Sequence, residues 1–148
     1  MKAHIATAML VAALAAAVLW KQQDIAAPQP QDPIYQRLDA VRDGSVTNYI
    51  DAHTGSMKAS LLRAAAEIGE ARLLQSLRDQ NASLKGIAVL QPDPLSDREV
   101  KVRVEYIFAD RNEIQSYYLE KAGNTWKIAR VDGAQRIQTL VPYGTPVN

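Results

Sequence analysis

Val100-Lys101-Val102-Arg103-Val104-Glu105-Tyr106-Ile107-Phe108 is the stretch on which the fold turns. In an extended chain Val100, Val102, Val104, Tyr106 and Phe108 share one face, and Lys101, Arg103 and Glu105 share the other. A helix would scatter the same valines around its circumference. The period of two therefore predicts a strand with a core face and a wet face, as in an antiparallel sheet covered on one side.

The same alternation continues outward from this strand. Downstream, Asp110-Arg111-Asn112 turns the chain, and residues 113–121 read as a strand carrying Ile114, Tyr117, Tyr118 and Leu119. Gly123-Asn124 marks a tight hairpin. Residues 125–131 follow as a strand with Trp126 and Ile128 on one face, closed by Asp132-Gly133. Ile137, Leu140 and Val141 suggest an edge strand, and residues 142–148 a loose tail. Upstream, residues 84–90 read as a strand weakened by Gly86, and the Pro- and Asp-rich residues 91–97 as a loop. In this register Glu105 and Glu120 face solvent, and no second acid occupies an inward strand position.

Before residue 82 the period is near four. Asp32 followed by Pro33 has the form of a capping carboxylate and a proline in the first helical turn. Ile34, Leu38 and Val41 line one face of that helix. Gly44 ends it, and Ser45 caps a short second helix with Val46, Tyr49 and Ile50 on one side. A longer helical region runs from about residue 57 to residue 79. Leu61, Leu62, Ala65 and Ile68 share one of its faces, and Gly69 marks a kink or a break. Helices first and an antiparallel meander second predict an α+β fold: N-terminal helices on one face of a curved antiparallel sheet of about four strands.

This arrangement is preceded by a different kind of segment. Between Lys2 and Lys21 the chain holds no Asp, Glu, Lys or Arg. As a helix that stretch would span roughly 27 Å, close to the thickness of a bilayer core. The expectation is a signal peptide or membrane anchor over residues 1–20, a Pro/Gln linker over 21–33, a folded domain over 34–141 and the tail. Lys2 favours a cytoplasmic N-terminus with the domain outside, periplasmic and tethered to the inner membrane, or secreted. Ala15-Ala16-Ala17 and Ile25-Ala26-Ala27 are alternative cleavage sites.

The 148-residue chain has no cysteine, which excludes a disulfide framework, a thiolate metal site and a cysteine nucleophile. Residues 34–148 alone carry 15 basic and 14 acidic side chains, so the domain has no general attraction for nucleic acid. No EF-hand loop, phosphate-cradling glycine loop or Gly-x-Ser-x-Gly elbow occurs. No cofactor and no metal are expected.

Several local sequences within residues 33–132 resemble the NTF2-like (cystatin-like α+β cone) superfamily. They are the helix Ile34–Asp43 followed by Gly44, the run Val102-Arg103-Val104-Glu105-Tyr106-Ile107-Phe108, Tyr118-Leu119-Glu120-Lys121, and Gly123-Asn124-Thr125-Trp126-Lys127-Ile128. The resemblance implies a cone-shaped α+β fold, often dimeric through the open sheet face, in a superfamily of isomerases, dehydratases, ligand-binding pockets and envelope proteins. Members resembling ketosteroid isomerase use a buried Asp base with a Tyr and Asp oxyanion pair. That set has no residue-by-residue counterpart here.

Candidate site residues follow from chemistry. Tyr106, Phe108, Tyr117, Tyr118 and Trp126 gather five of nine aromatics into a short stretch, and Tyr49 joins them as a ligand-binding candidate. Tyr117 and Tyr118 are adjacent, so they point to opposite faces. Asp51 and His53 are weak catalytic candidates, because residues two apart do not share a helix face. The leading expectation is an exported or membrane-anchored, non-enzymatic domain that binds a protein partner or a small apolar ligand. An isomerase- or dehydratase-type enzyme with an acid in the cone, and a structural subunit of an envelope complex, are the alternatives.

Overall fold

The computed structural model describes residues 26–137. The apolar segment 1–20, the Ala15–Ala17 cleavage site, Leu140, Val141 and the tail 142–148 lie outside the described residues. Among the described residues no helix is long and apolar enough to cross a membrane.

Among the described residues four helices come first: α1 (Asp32–Asp43), α2 (Val46–Asp51), α3 (Gly55–Ile68) and α4 (Glu70–Asn81). Six strands follow: β1 (Leu84–Val89), β2 (Asp93–Pro94), β3 (Glu99–Phe108), β4 (Asn112–Ala122), β5 (Thr125–Val131) and β6 (Gln135–Ile137). The α+β order is the one read from the sequence, but among the described residues the sheet has six strands instead of about four. One addition, β2, sits inside the expected 91–97 loop, where Asp93 pairs with Lys101 and Pro94 with Val100. Proline is acceptable there because β2 lies at an edge. The other, β6, pairs Gln135–Ile137 with Ile114–Asn112.

Local signals explain the helix boundaries. Gly44 takes the left-handed conformation at φ 78°, and its N–H closes on the Ala40 carbonyl. The Ser45 hydroxyl accepts from the Asn48 N–H at 3.2 Å, capping α2. Gly69 at φ 86° separates α3 from α4, so the long helical region is two helices. The cap of α1 differs from expectation. Gln31 holds that position without a side-chain bond, and Asp32 is already helical, its carboxylate accepting from the Gln29 N–H at 2.6 Å. A Gly44→Ala variant is expected to lose about 1–2 kcal/mol in urea denaturation, since an L side chain is strained at this φ. Its added methyl would also meet an Arg78 guanidinium nitrogen at 3.1 Å.

The core has two parts, and α1 contributes to both. Ile34 packs with Val100, Val102, Val104, Tyr117, Leu119 and Ile128 between helix and sheet. Ala40 and Val41 pack with Val46, Tyr49, Ile50, Leu73 and Leu77 among the helices. The connection after α2 also bonds to the sheet: the Ile128 N–H donates to the Ala52 carbonyl and the Thr54 N–H to the Ile128 carbonyl, both at 2.9 Å. On α3, Leu61 and Ala65 pack inward, while Leu62 and Ile68 are about half exposed. Register shifts at Leu84/Gly86 and at Tyr118/Leu119 bend the sheet.

Candidate functional site

The inward face of the sheet changes character along its length. On β4 the inward positions run Leu119, Tyr117, Gln115, Glu113, from apolar to charged. Their β3 partners are Val100, Val102, Val104 and Tyr106 in turn. The Leu119–Tyr117 end is fully buried. The Gln115–Glu113 end borders a cavity of about 180 Å³, together with Arg37, Tyr106, Phe108 and Leu84. Gln80 and Asn81, at the end of α4, complete its wall.

Arg37 is the centre of this end. It lies three residues after Ile34 and four before Val41, so the α1 stripe that builds the core also carries this cation inward. The guanidinium donates through Nη1 to the Tyr117 hydroxyl. Longer contacts run from Nη1 to the Tyr106 hydroxyl at 3.5 Å and from Nη2 to the Tyr49 hydroxyl at 3.4 Å. It also sits over the rings of Tyr117 and Tyr49, 5.3 and 5.5 Å from their centroids. Among the described residues no carboxylate pairs with it. Its Nε is buried without a hydrogen-bond partner.

The hydroxyls form a directed chain. Tyr117 donates to the Gln115 side-chain carbonyl at 3.0 Å. The Tyr117 and Tyr106 oxygens are 2.5 Å apart, so with the Tyr117 proton on Gln115, Tyr106 is the donor in that pair. Because Gln115 accepts through its carbonyl oxygen, its amide NH₂ remains free to donate. Burial pushes the Tyr117 phenol above its ordinary range, with the Arg37 charge acting in the opposite direction. Burial works against the Arg37 charge, but the oxygens of Tyr117, Tyr49 and Tyr106 outweigh it and raise its pKa. The pair is therefore a neutral phenol beside a permanent cation.

The structure thus brings together Tyr49, Tyr106 and Tyr117 through Arg37 and places Phe108 in the same cavity wall. It places Tyr118 and Trp126 elsewhere. The Tyr118 hydroxyl donates to Asp132 at 3.1 Å beneath the Arg130 guanidinium, on the other face of the sheet. Trp126 packs on the buried end of the sheet with Lys121 above its ring. Glu113 corrects the expectation that no second acid points inward. It borders the cavity, and Arg111 Nε donates to it at 2.6 Å.

The two catalytic candidates do not border this cavity. Asp51 is about half exposed and paired with Lys58 at 2.9 Å. The hydrogen bond from Lys58 holds its carboxyl below the usual range. His53 is buried, and its Nδ1–H donates to the Tyr49 carbonyl at 2.8 Å. Burial is the chief cause that pushes its pKa down to about 4, so the ring is neutral near pH 7. Its ring packs beside the Tyr49 ring, centroids 5.1 Å apart. Among the described residues no group of three or more acidic or histidine side chains could hold a metal ion.

Arg37, Gln115 and Glu113 were absent from the sequence-derived candidates. The alternation back from Tyr117 places the last two on its face. Arg37 occupies an apolar helical stripe, where a charged residue is itself a signal.

No family model matches the chain, and no curated protein matches it. Among solved structures it is similar to the crystal structure of an NTF-2-like protein of unknown function from Shewanella oneidensis MR-1. That likeness has 16% sequence identity and a TM-score of 0.36, and covers 68% of this chain and 94% of the other.

Proposed function

We propose that this chain is a small-ligand-binding domain of the NTF2-like kind, non-enzymatic, and exported or tethered at the membrane through residues 3–20. One observation carries the binding reading: a cavity at the open end of the sheet bordered by an arginine that has no acidic partner among the described residues. Ligand pockets combine an apolar wall with a few convergent polar groups, and here Phe108 and Leu84 supply the wall while Arg37, Tyr106 and Gln115 supply the polar groups. The polar share of the border moves the expected ligand from an apolar molecule to a small polar one. The non-enzymatic reading is favoured because His53 donates to a backbone carbonyl and Asp51 is paired with Lys58. Among the described residues Glu113 is the one acid at the cavity, and an isomerase-type reading would rest on it; its bond from Arg111 argues against a free base.

A pool of small metabolite-like compounds screened against the full chain by NMR is expected to yield saturable binders that shift Tyr106, Phe108 and Gln115 resonances without being converted. Turnover of a binder, or shifts confined to Tyr118 and Trp126, would overturn the reading. For the export component, N-terminal sequencing of the exported product is the check: a start near Val18 or Pro28 rejects a retained anchor. The proposed homodimer through the open sheet face predicts a two-chain mass in solution.

A further inference from the structure

The arginine at the cavity has more hydrogen-bonding capacity than the described residues fill. A guanidinium carries five N–H donors. Arg37 directs one to Tyr117 and two more along contacts of 3.4–3.5 Å, at the weak end of the hydrogen-bond range. Its acceptors are tyrosine hydroxyls, although buried cations ordinarily meet a carboxylate. Gln115 adds a second unfilled donor, its NH₂, at the same end of the cavity. The acid nearby does not supply the missing charge, because Glu113 is bonded to Arg111 at 2.6 Å.

Resting on the binding reading above, we infer that this cavity is a site for the carboxylate of a small organic acid, accepted by Arg37 and the Gln115 amide, with the ligand's apolar body against Phe108 and Leu84. Size sets the scale. A cavity of about 150 Å³ holds a benzene ring, so about 180 Å³ suits a ligand near benzoate in size. One guanidinium beside a Glu113 already paired with Arg111 offers a single uncompensated positive charge, which matches a monoanion and not a phosphate dianion. Arg37 also stays charged at any working pH, so recognition depends on the ionisation of the ligand alone.

Titration calorimetry on the full chain at pH 7, with sodium benzoate, benzamide and inorganic phosphate as separate probes, tests this. Benzoate is expected to bind one to one and to shift the Gln115 side-chain amide in parallel NMR spectra. Benzamide, the same ring without the charge, and phosphate are each expected to bind at least roughly tenfold more weakly. An Arg37→Met variant is expected to lose benzoate affinity by about 10- to 100-fold. Should that variant fail to fold, Gln115→Leu serves, with an expected loss of about tenfold. Absent benzoate binding, or full affinity in the folded variants, overturns the inference. Benzamide binding equal to benzoate with the same Gln115 shift also overturns it, while leaving the binding reading in place. Tighter binding of phosphate than of benzoate removes the carboxylate assignment.

Discussion

Replacing Tyr117 with Ala is expected to lower the unfolding free energy by about 3–5 kcal/mol, while the same change at its neighbour Tyr118 costs far less. Tyr117 is fully buried, among the largest side chains with no exposure, and packs in the helix–sheet core. Tyr118 is only partly buried, over Asp132 and Arg130. The loss at Tyr117 combines a cavity in the core with removal of the hydroxyl that accepts from Arg37 and donates to Gln115. Tyr117→Phe separates the two effects, because it keeps the ring and removes only the hydroxyl, with its bonds from Arg37 and to Gln115. It is expected to cost about 1–3 kcal/mol, the penalty of leaving a buried donor unmatched. For a domain whose whole stability is of order 5–15 kcal/mol, the alanine variant sits near the threshold of folding. Urea denaturation followed by circular dichroism measures all three variants. Equal losses at Tyr117 and Tyr118 would contradict the β3–β4 register.

Acidification from pH 7 to pH 4 is expected to remove about 3 kcal/mol of stability through His53 alone. Burial is the main cause that pushes the folded imidazole down to about 4 from 6.5, with nearby Arg37 and Lys127 acting in the same direction and the backbone bond to Tyr49 opposing them. The unfolded chain therefore binds more protons between these two values. The contribution is fully present above pH 6.5 and is lost as pH falls towards 4. Asp51 behaves differently. Its folded carboxyl is depressed from 3.8, so its contribution is lost only at more acidic pH, below the His53 window. A His53→Gln variant is expected to flatten the slope of stability against pH between 6.5 and 5. Parallel slopes in the variant and the parent would show that His53 is not the titrating group.

Local residues made most of the fold legible. The five alternating positions from Val100 to Phe108 identified β3 and its core face, and all three valines are buried as that period requires. Gly44 and Ser45 ended α1 and began α2 because a left-handed residue and a capping hydroxyl act within one helical turn. Gly123, at φ 66°, turned the β4–β5 hairpin. The two short strands lack such signals: β2 lies in a stretch read as a loop, and β6 holds only Ile137 of the expected edge strand. Asp93–Pro94 has turn composition and is a strand only because Val100 and Lys101 present an edge to it. Gln135–Ile137 has one apolar residue and is a strand because β4 extends past β5.

The site was legible only in its aromatic half. Tyr49, Tyr106, Phe108 and Tyr117 stood out by type, but nothing local distinguishes them from Tyr118 and Trp126, which lie elsewhere. Arg37 and Tyr117 are 80 residues apart, and their contact needs α1 to cross the sheet at one particular height. By itself, then, the sequence determined the element types, the hairpin and the wet and dry faces of β3, because these follow from backbone preferences and from periods of two and near four. Only the tertiary structure decided that an arginine with no acidic partner among the described residues, three phenols and an amide donor meet at one end of the sheet. That convergence depends on strand register and helix packing, which join residues that no local period connects.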